Sequence, residues 1–310
     1  MPALISVIIP TLNRFDDLKA FTETLVKQTL KPDELVIVDA GTLESIEPML
    51  KDGLAGSGIE LVYLRAAPGT SSQRNIGIAA AKGDFFFFFD DDILLEPTYI
   101  EESMSCFDAP HNHPLPLGGV MGTFKIPVKP NRLKNYYKHL FQISHQTDQY
   151  PPIVLNSGAV RWAIEPEQTI PVPVCSGGRV VFRKECFDTE LWDSFLPGYT
   201  ASEDVELSYR ISKNWSFVQT PKARCHHKHS PVSRITFDDR TARLLYARFY
   251  FFRKHMPHDI QHTSAFFVSM AAASVMWSTT SILQRDKHAM KGAKGVMKAV
   301  KLCLNDILKH

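Results

Sequence analysis

The chain has 310 residues, 44% of them hydrophobic and 22% charged, with a formal net charge of +2. That composition supports a sizeable core and excludes a largely disordered chain, and the near-neutral balance offers nucleic acid no global field. The length holds one large α/β domain, or a domain of about 230 residues with an appendage. Cys106, Cys175, Cys186, Cys225 and Cys303 are odd in number, widely spaced and without a Cys-x-x-Cys pair. With no export signal ahead of the strand-like Leu4-Ile5-Ser6-Val7-Ile8-Ile9, they set the expectation of reduced thiols in the cytoplasm.

Apolar runs alternate with helical patterns over the first half, which predicts βαβ units in a mostly parallel sheet. Strands are expected at 4–9, 34–38, 59–64 and 84–89. Leu18, Phe21 and Leu25 recur at spacings of three and four, giving one face of a helix that stops before Lys31-Pro32. A second helix is expected from Ser71 to Lys82, closed by Gly83. The most informative stretch follows, where Phe85 to Phe89 run directly into Asp90, Asp91 and Asp92. Five consecutive phenylalanines cannot alternate between core and solvent, so this strand should be covered on both faces. In open α/β sheets the ligand crevice lies outside the carboxyl ends of the strands, where the three acids emerge. Clustered carboxylates raise each other's pKa unless a cation neutralises them, and hard Mg²⁺ or Mn²⁺ is the simplest remedy. The competing reading is a solvated turn with an Asp capping the next helix.

Residues 127–175 carry many prolines and no sustained period, which predicts a long, partly ordered segment of the kind that forms lids or acceptor loops. A strand-like run resumes at Ser176-Gly177-Gly178-Arg179, and Ser202-Glu203-Asp204 opens a helix with Ser202 as N-cap. Cys225, His226, His227 and His229 are zinc-ligand types, but no second cysteine stands at finger spacing. After about residue 236 the chain changes character. Ile260 to Gln284 has no Lys, Arg, Asp or Glu, long enough to cross a bilayer yet too rich in Ser, Thr and Ala for more than marginal insertion. The alternative is a helix packed on the preceding domain with Phe266, Met270, Ala273 and Trp277 inward. In 285–310, Arg285, Lys287, Lys291, Lys294, Lys298, Lys301 and Lys309 outnumber Asp286 and Asp306, beside an apolar stripe of Met297, Val300, Leu304 and Ile307. That pattern suits a helix lying on an anionic membrane surface, with an ordinary solvated helix as the alternative.

Taken in order, Ser6 to Arg14, Val36 to Thr42, Gly69 to Gly77, Asp90-Asp91-Asp92 and Glu203-Asp204 resemble the family 2 glycosyltransferases, inverting enzymes of the GT-A fold, over about residues 4–235. The resemblance implies a Rossmann-like, mostly parallel mixed sheet flanked by helices in a domain at 1–235, with a C-terminal helical extension at 236–310. It also implies a nucleoside-diphosphate sugar donor, Mn²⁺ or Mg²⁺ bridging the diphosphate, and direct displacement by a hydroxyl of a glycan or lipid-linked acceptor. By resemblance Asp92 holds the metal, and Asp90 the metal or the ribose, with Asp91 beside them on the nucleotide sugar. Asp39 contacts the base, although Ala40 stands where a second acid is usual. Pro10, Thr11 and Arg14 face the nucleotide, and Arg74 reaches base or phosphate, with Gln73 where the family more often has Ala. Glu203 and Asp204 form the catalytic acidic pair, with Asp204 as general base. His227 and His229 complete the metal site or touch the diphosphate, and Arg234 reaches phosphate. Trp192 or Tyr199 is expected as an aromatic floor for a sugar, or as core.

These residue types suit the chemistry. Guanidinium matches phosphate geometry, and a carboxylate that takes the acceptor proton is worth about 10²–10⁴ in rate. Acids in the first turn of a helix are favoured by its dipole in any case. A sugar-nucleotide pyrophosphorylase would carry a Gly-rich loop where Pro10 to Arg14 has none, and an Asp-x-Asp-x-Thr phosphatase would need Thr where Leu94 stands. A catalytically inactive, membrane-attached nucleotide-sugar binding protein is the remaining alternative. The combined expectation is a transferase peripheral at the cytoplasmic face of a membrane.

Overall fold

The computed structural model describes residues 3–42, 45–110, 112–125, 132–148, 150–194, 201–230, 236–283 and 289–307. In chain order the elements are β1 (Ile5–Thr11), α1 (Phe15–Leu25), β2 (Glu34–Asp39), α2 (Glu47–Leu54), β3 (Glu60–Arg65), α3 (Thr70–Ala80), β4 (Phe85–Phe89), β5 (Ile93–Leu95), α4 (Tyr99–Asp108) and β6 (Leu117–Phe124). They continue with α5 (Arg132–Leu140), β7 (His145–Thr147), β8 (Ile153–Val154), β9 (Val160–Ala163), β10 (Ile170–Val172), β11 (Arg179–Arg183), α6 (Glu203–Ile211), β12 (Ser216–His227), α7 (Phe237–His255), α8 (Ile260–Leu283) and α9 (Ala289–Ile307). The chain divides into two compact units. Unit 1 is Met1–Pro127, Glu165–Tyr199 and Glu203–Ser233, and unit 2 is Val128–Ile164, Thr200–Ser202 and Arg234–His310.

Unit 1 is built on one sheet in the order β10-β12-β6-β11-β4-β1-β2-β3, with β5 also paired to β12. Strands β4, β1, β2 and β3 are parallel, β11 runs antiparallel between β4 and β6, and β12 is parallel to β6. The sequence dictates the centre. No phenylalanine of β4 is more than 6% exposed. Phe85, Phe87 and Phe89 join Leu18, Phe21, Leu25 and Ile100 on one face, while Phe86 and Phe88 meet Phe182, Phe187 and Trp192 on the other. Covered on both faces, the strand can carry charge only at its ends, and Asp90, Asp91 and Asp92 follow its carboxyl end. Two registers align the site: Thr11 stands opposite Asp39, and Phe89 opposite Arg179. Pro10 lies past Ile8, the last residue of β1 paired to β4, so its missing N–H falls where that ladder has ended.

Residues 127–175 depart from the expected partly ordered segment. They contain α5, the small sheet β7-β9-β8, and β10, which joins the main sheet. Strands of two to four residues are too short to show a period, so they are invisible to pattern reading. Ser202 directly precedes α6 but at φ 69, outside the extended region in which a capping serine turns onto the first turn.

Within unit 2, Phe266 of α8 stacks on Phe252 of α7 at 4.3 Å, and Ala273 packs with Ile143, Tyr137 and Phe141. Met270 joins Ala242, Leu245 and Ala299. The Trp277 side chain lies outside the described residues. Among those described, no helix is long and apolar enough to cross a membrane. Helix α9 closes against α7 at Gly295, where an added Cβ would stand 2.7 Å from Asp238 O and from Thr241 Cβ. Its Met297, Val300, Leu304 and Ile307 point away, 53–65% exposed.

Candidate functional site

The site forms where β1, β2 and β4 end and β11 begins. Asp90, Asp91 and Asp92 leave β4 in a turn closed by Ile93 N donating to Asp90 O, and β5 starts at once. Because β5 pairs antiparallel with β12, Ile93 faces His227, which delivers an imidazole to the acids from more than a hundred residues away. His227 Nε2 lies 3.0 Å from Asp92 Oδ1. Asp90, Asp92 and His227 offer one ligand atom each, all within 4.8 Å of one another. His229 is not in this group. At φ 55 its ring leans on that of His227, 4.1 Å between centroids, and Phe124 also stacks on His227.

The three acids have different environments. Arg14 bridges Asp91 and Asp92 at 3.1 and 3.3 Å. The His227 hydrogen bond, Arg14 and the Ser230 N–H outweigh burial and draw the Asp92 carboxyl down to about 2. Asp91 is buried, accepts from Thr11 Oγ1 at 2.9 Å, and is pushed up to about 7 chiefly by burial, against the pull of Arg14. Asp90 is the most open and meets Arg74 at 3.0 Å.

Arg74 is not a surface residue. It is 2% exposed, stacks over Trp192 at 4.3 Å, and holds Asp90 with one nitrogen and Glu203 Oε1, at 2.9 Å, with another. Trp192 is thereby core, beneath Arg74 and against Phe88. Asp204 Oδ2 accepts from Gly177 N at 2.9 Å and its Oδ1 from Val205 N at 2.8 Å. Burial, more than its neighbours' charges, raises the Asp204 pKa, and burial together with the Asp204 charge lifts Glu203 to about 7. The glycine pair makes this approach feasible: a Cβ on Gly178 would stand 2.5 Å from Asp90 Oδ2, and one on Gly177 2.9 Å from the Trp192 ring. Glycine at both positions lets the turn leading into β11 pass this close to Asp90 and Trp192.

At the other edge, Asp39 is fully engaged. Its Oδ1 accepts from Gly41 N, and its Oδ2 from Tyr63 OH at 2.5 Å and Arg65 at 2.7 Å. Arg65 also donates to Gly41 O. Gln73 donates to Thr11 O and Val38 O and accepts from Gly69 N, so it straps the ends of β1 and β2 together. Tyr63 and Arg65 escaped sequence reading; the signal that finds them is the register placing Arg65 opposite Asp39. Tyr199 and Arg234 lie outside the described residues. Cys225 is buried in β12 and belongs to no metal-ligand group among the described residues.

Comparison with known proteins identifies the fold and the family. The chain is 23% identical over 263 residues to chondroitin synthase of Escherichia coli, an alignment covering 77% of this chain and 36% of that protein. The chain thus spans about a third of the length of that relative. Two solved structures share the fold. GalNAc-T7 with UDP, GalNAc and Mn²⁺ matches with a TM-score of 0.56 at 16% identity, over 87% of this chain and 54% of that one. The mannosyltransferase PcManGT from Pyrobaculum calidifontis in complex with GDP-Man and Mn²⁺ matches with a TM-score of 0.55 at 15% identity, over 97% and 87%. Both are transferases of the GT-A fold, which this mixed, flanked sheet also has. The pattern of Glycosyl transferase family 2 covers residues 6–189, from the first residues of β1 through β11, and the chain belongs to that family.

Proposed function

We propose that the chain transfers a sugar from a nucleoside-diphosphate donor to a hydroxyl of a glycan or lipid-linked acceptor, with a divalent cation at Asp90, Asp92 and His227 and inversion at the anomeric carbon. The observation that carries the reading is the clustering of two carboxylates and one imidazole within 4.8 Å, with Asp204 anchored on the neighbouring Gly177-Gly178 turn. Carboxylate oxygens with one imidazole nitrogen suit Mn²⁺, and Mg²⁺ through the carboxylates. When bound, the cation supplies neutralisation of the charge that builds on the departing diphosphate. The two solved relatives, described with a nucleotide or nucleotide sugar and Mn²⁺, support this donor class.

Each residue then has a task. The acceptor oxygen forms its bond to the anomeric carbon as the bond to the diphosphate breaks, and Asp204 takes the hydroxyl proton. A carboxylate whose pKa is raised by burial is a stronger base for that transfer. Glu203 is the other member of the pair, tied to Arg74. Arg74 fixes Asp90 and Glu203 in register with each other, an ion-pair role in place of direct contact with base or phosphate. Thr11 and Arg14 hold Asp91 and Asp92, Asp39 with Tyr63 and Arg65 forms the edge that meets the nucleotide base, and Pro10 shapes the end of β1. His229 supports the His227 ring. Helix α9 attaches the enzyme to the anionic cytoplasmic face of a membrane through its lysines and exposed apolar stripe.

A thermal-shift screen of nucleotide sugars with and without Mn²⁺ tests the donor, since a ligand that binds only the folded chain raises its apparent stability. Metal-dependent stabilisation by one uridine, guanosine or thymidine diphosphate sugar names the base. Stabilisation without turnover would leave an inactive binding protein, and unchanged transfer by Asp92→Asn and Asp204→Asn would overturn the mechanism.

A further inference from the structure

Arg179 opens β11 opposite Phe89, directly after the Gly177-Gly178 turn that approaches Asp204 and Asp90. It is 4% exposed, and its guanidinium carbon lies 4.2 Å over the Phe124 ring. The same ring stacks on His227 at 5.5 Å between centroids, so one aromatic side chain carries both a guanidinium and a member of the metal-ligand group. The backbone of Arg179 is fastened, with Tyr99 OH donating to its carbonyl at 2.8 Å. Its side chain is not. Nε is buried without an acceptor, and the terminal nitrogens make no hydrogen bond or ion pair among the described residues.

The other guanidiniums at this end of the sheet are all engaged. Arg14 is held by Asp91 and Asp92, Arg65 by Asp39, and Arg74 by Asp90 and Glu203. Nor do the neighbours of Arg179 supply a counter-charge. Burial pushes the Tyr99 hydroxyl and the Cys175 thiol well above their ordinary values and Cys225 up to about 12, so all three are neutral near pH 7. Asp204 also acts on the guanidinium, but its carboxylate accepts from Gly177 N and Val205 N and forms no ion pair with it. A buried guanidinium without a partner is costly, and its retention calls for an anion that completes it.

We propose that Arg179 takes a non-bridging phosphate oxygen of the donor's diphosphate, beside the cation assigned to Asp90, Asp92 and His227. The inference rests on the nucleotide-sugar reading above and deepens it, because it gives the phosphate contact to a residue outside the motifs that carry the family resemblance. Chemistry chooses the ligand. The terminal N–H groups of a guanidinium form a planar fork that matches phosphate oxygens, and a diphosphate is the anion that the adjoining ligand group implies. Held on Phe124, the charge is in place before the reaction begins and adds to the neutralisation of the departing diphosphate.

The test titrates the full chain with uridine, guanosine and thymidine diphosphates in the presence of Mn²⁺, by calorimetry. Arg179→Met keeps a long unbranched side chain over Phe124 and removes the charge. The diphosphate that wild type prefers should bind this variant roughly tenfold to a hundredfold more weakly. Its melting temperature without ligand should stay the same or rise, because a charge with no partner has left the interior. A residue kept for packing alone would do the reverse, lowering the melting temperature and leaving affinity unchanged. Arg179→Lys, which keeps the charge and loses the fork, should recover part of the affinity. Should Arg179→Met fold poorly, weaker binding by Arg179→Lys at an unchanged melting temperature supports the assignment, and full affinity in that variant overturns it. Undiminished affinity in a folded Arg179→Met overturns the proposal alone. If wild type binds none of the three diphosphates with Mn²⁺, the donor reading fails and the proposal with it.

Discussion

Strand β4 in unit 1 and helix α9 in unit 2 are both conspicuous apolar patterns, and they meet opposite fates. The five phenylalanines of β4 are buried on two faces between β1 and β11, whereas Met297, Val300, Leu304 and Ile307 of α9 remain more than half exposed. The difference lies in what each element offers its neighbours. Strand β4 gives its whole length to the sheet and spends its end on three carboxylates, while α9 gives α7 a narrow seam of Gly295, Ala299 and half-buried Val296 and keeps its large side chains outward. In unit 1 apolar residues fix the position of charge; in unit 2 they remain available as a surface.

The sharpest way to break that contrast is at the charge that unit 1 positions. Asp204→Asn preserves the shape and, with its amide oxygen toward Gly177 N, one of the two accepted hydrogen bonds, while removing the base, so kcat should fall by about 10²–10⁴ with donor affinity nearly unchanged. Single-turnover kinetics beside donor titration separates the two. An equal loss in donor affinity would mean that Asp204 holds the donor and that the base lies elsewhere. Next in size is the strand itself. Phe87→Ala should cost about 3–5 kcal/mol in urea unfolding, because Phe87 is enclosed on both sides and the sheet cannot collapse into the void. A cost under about 1 kcal/mol would show that β4 is not the rigid support described.

The same contrast explains how much was legible in the sequence. Phe85 to Phe89 announced a buried strand because five large apolar residues admit one solution, and the acids that follow inherit its direction. His227 was legible as a ligand type, but its meeting with Asp92 depends on three-residue β5 pairing with β12, which no local pattern encodes. Arg74 read as a ligand contact, since a sequence shows a guanidinium without showing that Trp192 lies under it and Asp90 and Glu203 beside it. Tyr63 and Arg65 became visible only through the β2–β3 register. Helix α5 stayed hidden because its apolar residues alternate with lysines and prolines surround it, so its amphipathic face emerges only once the backbone is helical.

A buried carboxyl offers a smaller effect with a definite sign. Glu203 is lifted to about 7 by burial and by the Asp204 charge, so over mildly acidic pH the folded chain holds a proton that the unfolded chain has released. A raised folded pKa contributes stability in full below the ordinary glutamate value of about 4.3, and that contribution is lost as pH rises through 7. Wild type should therefore lose stability between pH 5 and 8 relative to Glu203→Gln, by at most about 3 kcal/mol across the window. Urea midpoints of both proteins measured across that range give the difference directly. Parallel curves would mean that Arg74 compensates the ionised carboxylate fully.

The smallest expected effect bears hardest on unit 2. If the apolar stripe of α9 serves a surface and not the fold, Leu304→Ala should change unfolding free energy by less than about 0.5 kcal/mol, although the same kind of truncation in a core costs about 2–5 kcal/mol. Leu304 is more than half exposed, so little of its surface is removed from water by folding and little is returned by truncation. The comparison is meaningful only beside a variant of the packed face. Ala299→Asp introduces a charge where α9 meets Ala242 and Leu245, and it should lower the melting temperature sharply. For the same reason deletion of 285–310 is a poor probe of membrane binding, since it strips α7 of its neighbour together with the lysines. A Leu304→Ala chain that is as stable as wild type but partitions less onto anionic vesicles would place the value of that leucine outside the protein. A chain destabilised by more than 1 kcal/mol would return α9 to the role of an ordinary packed helix.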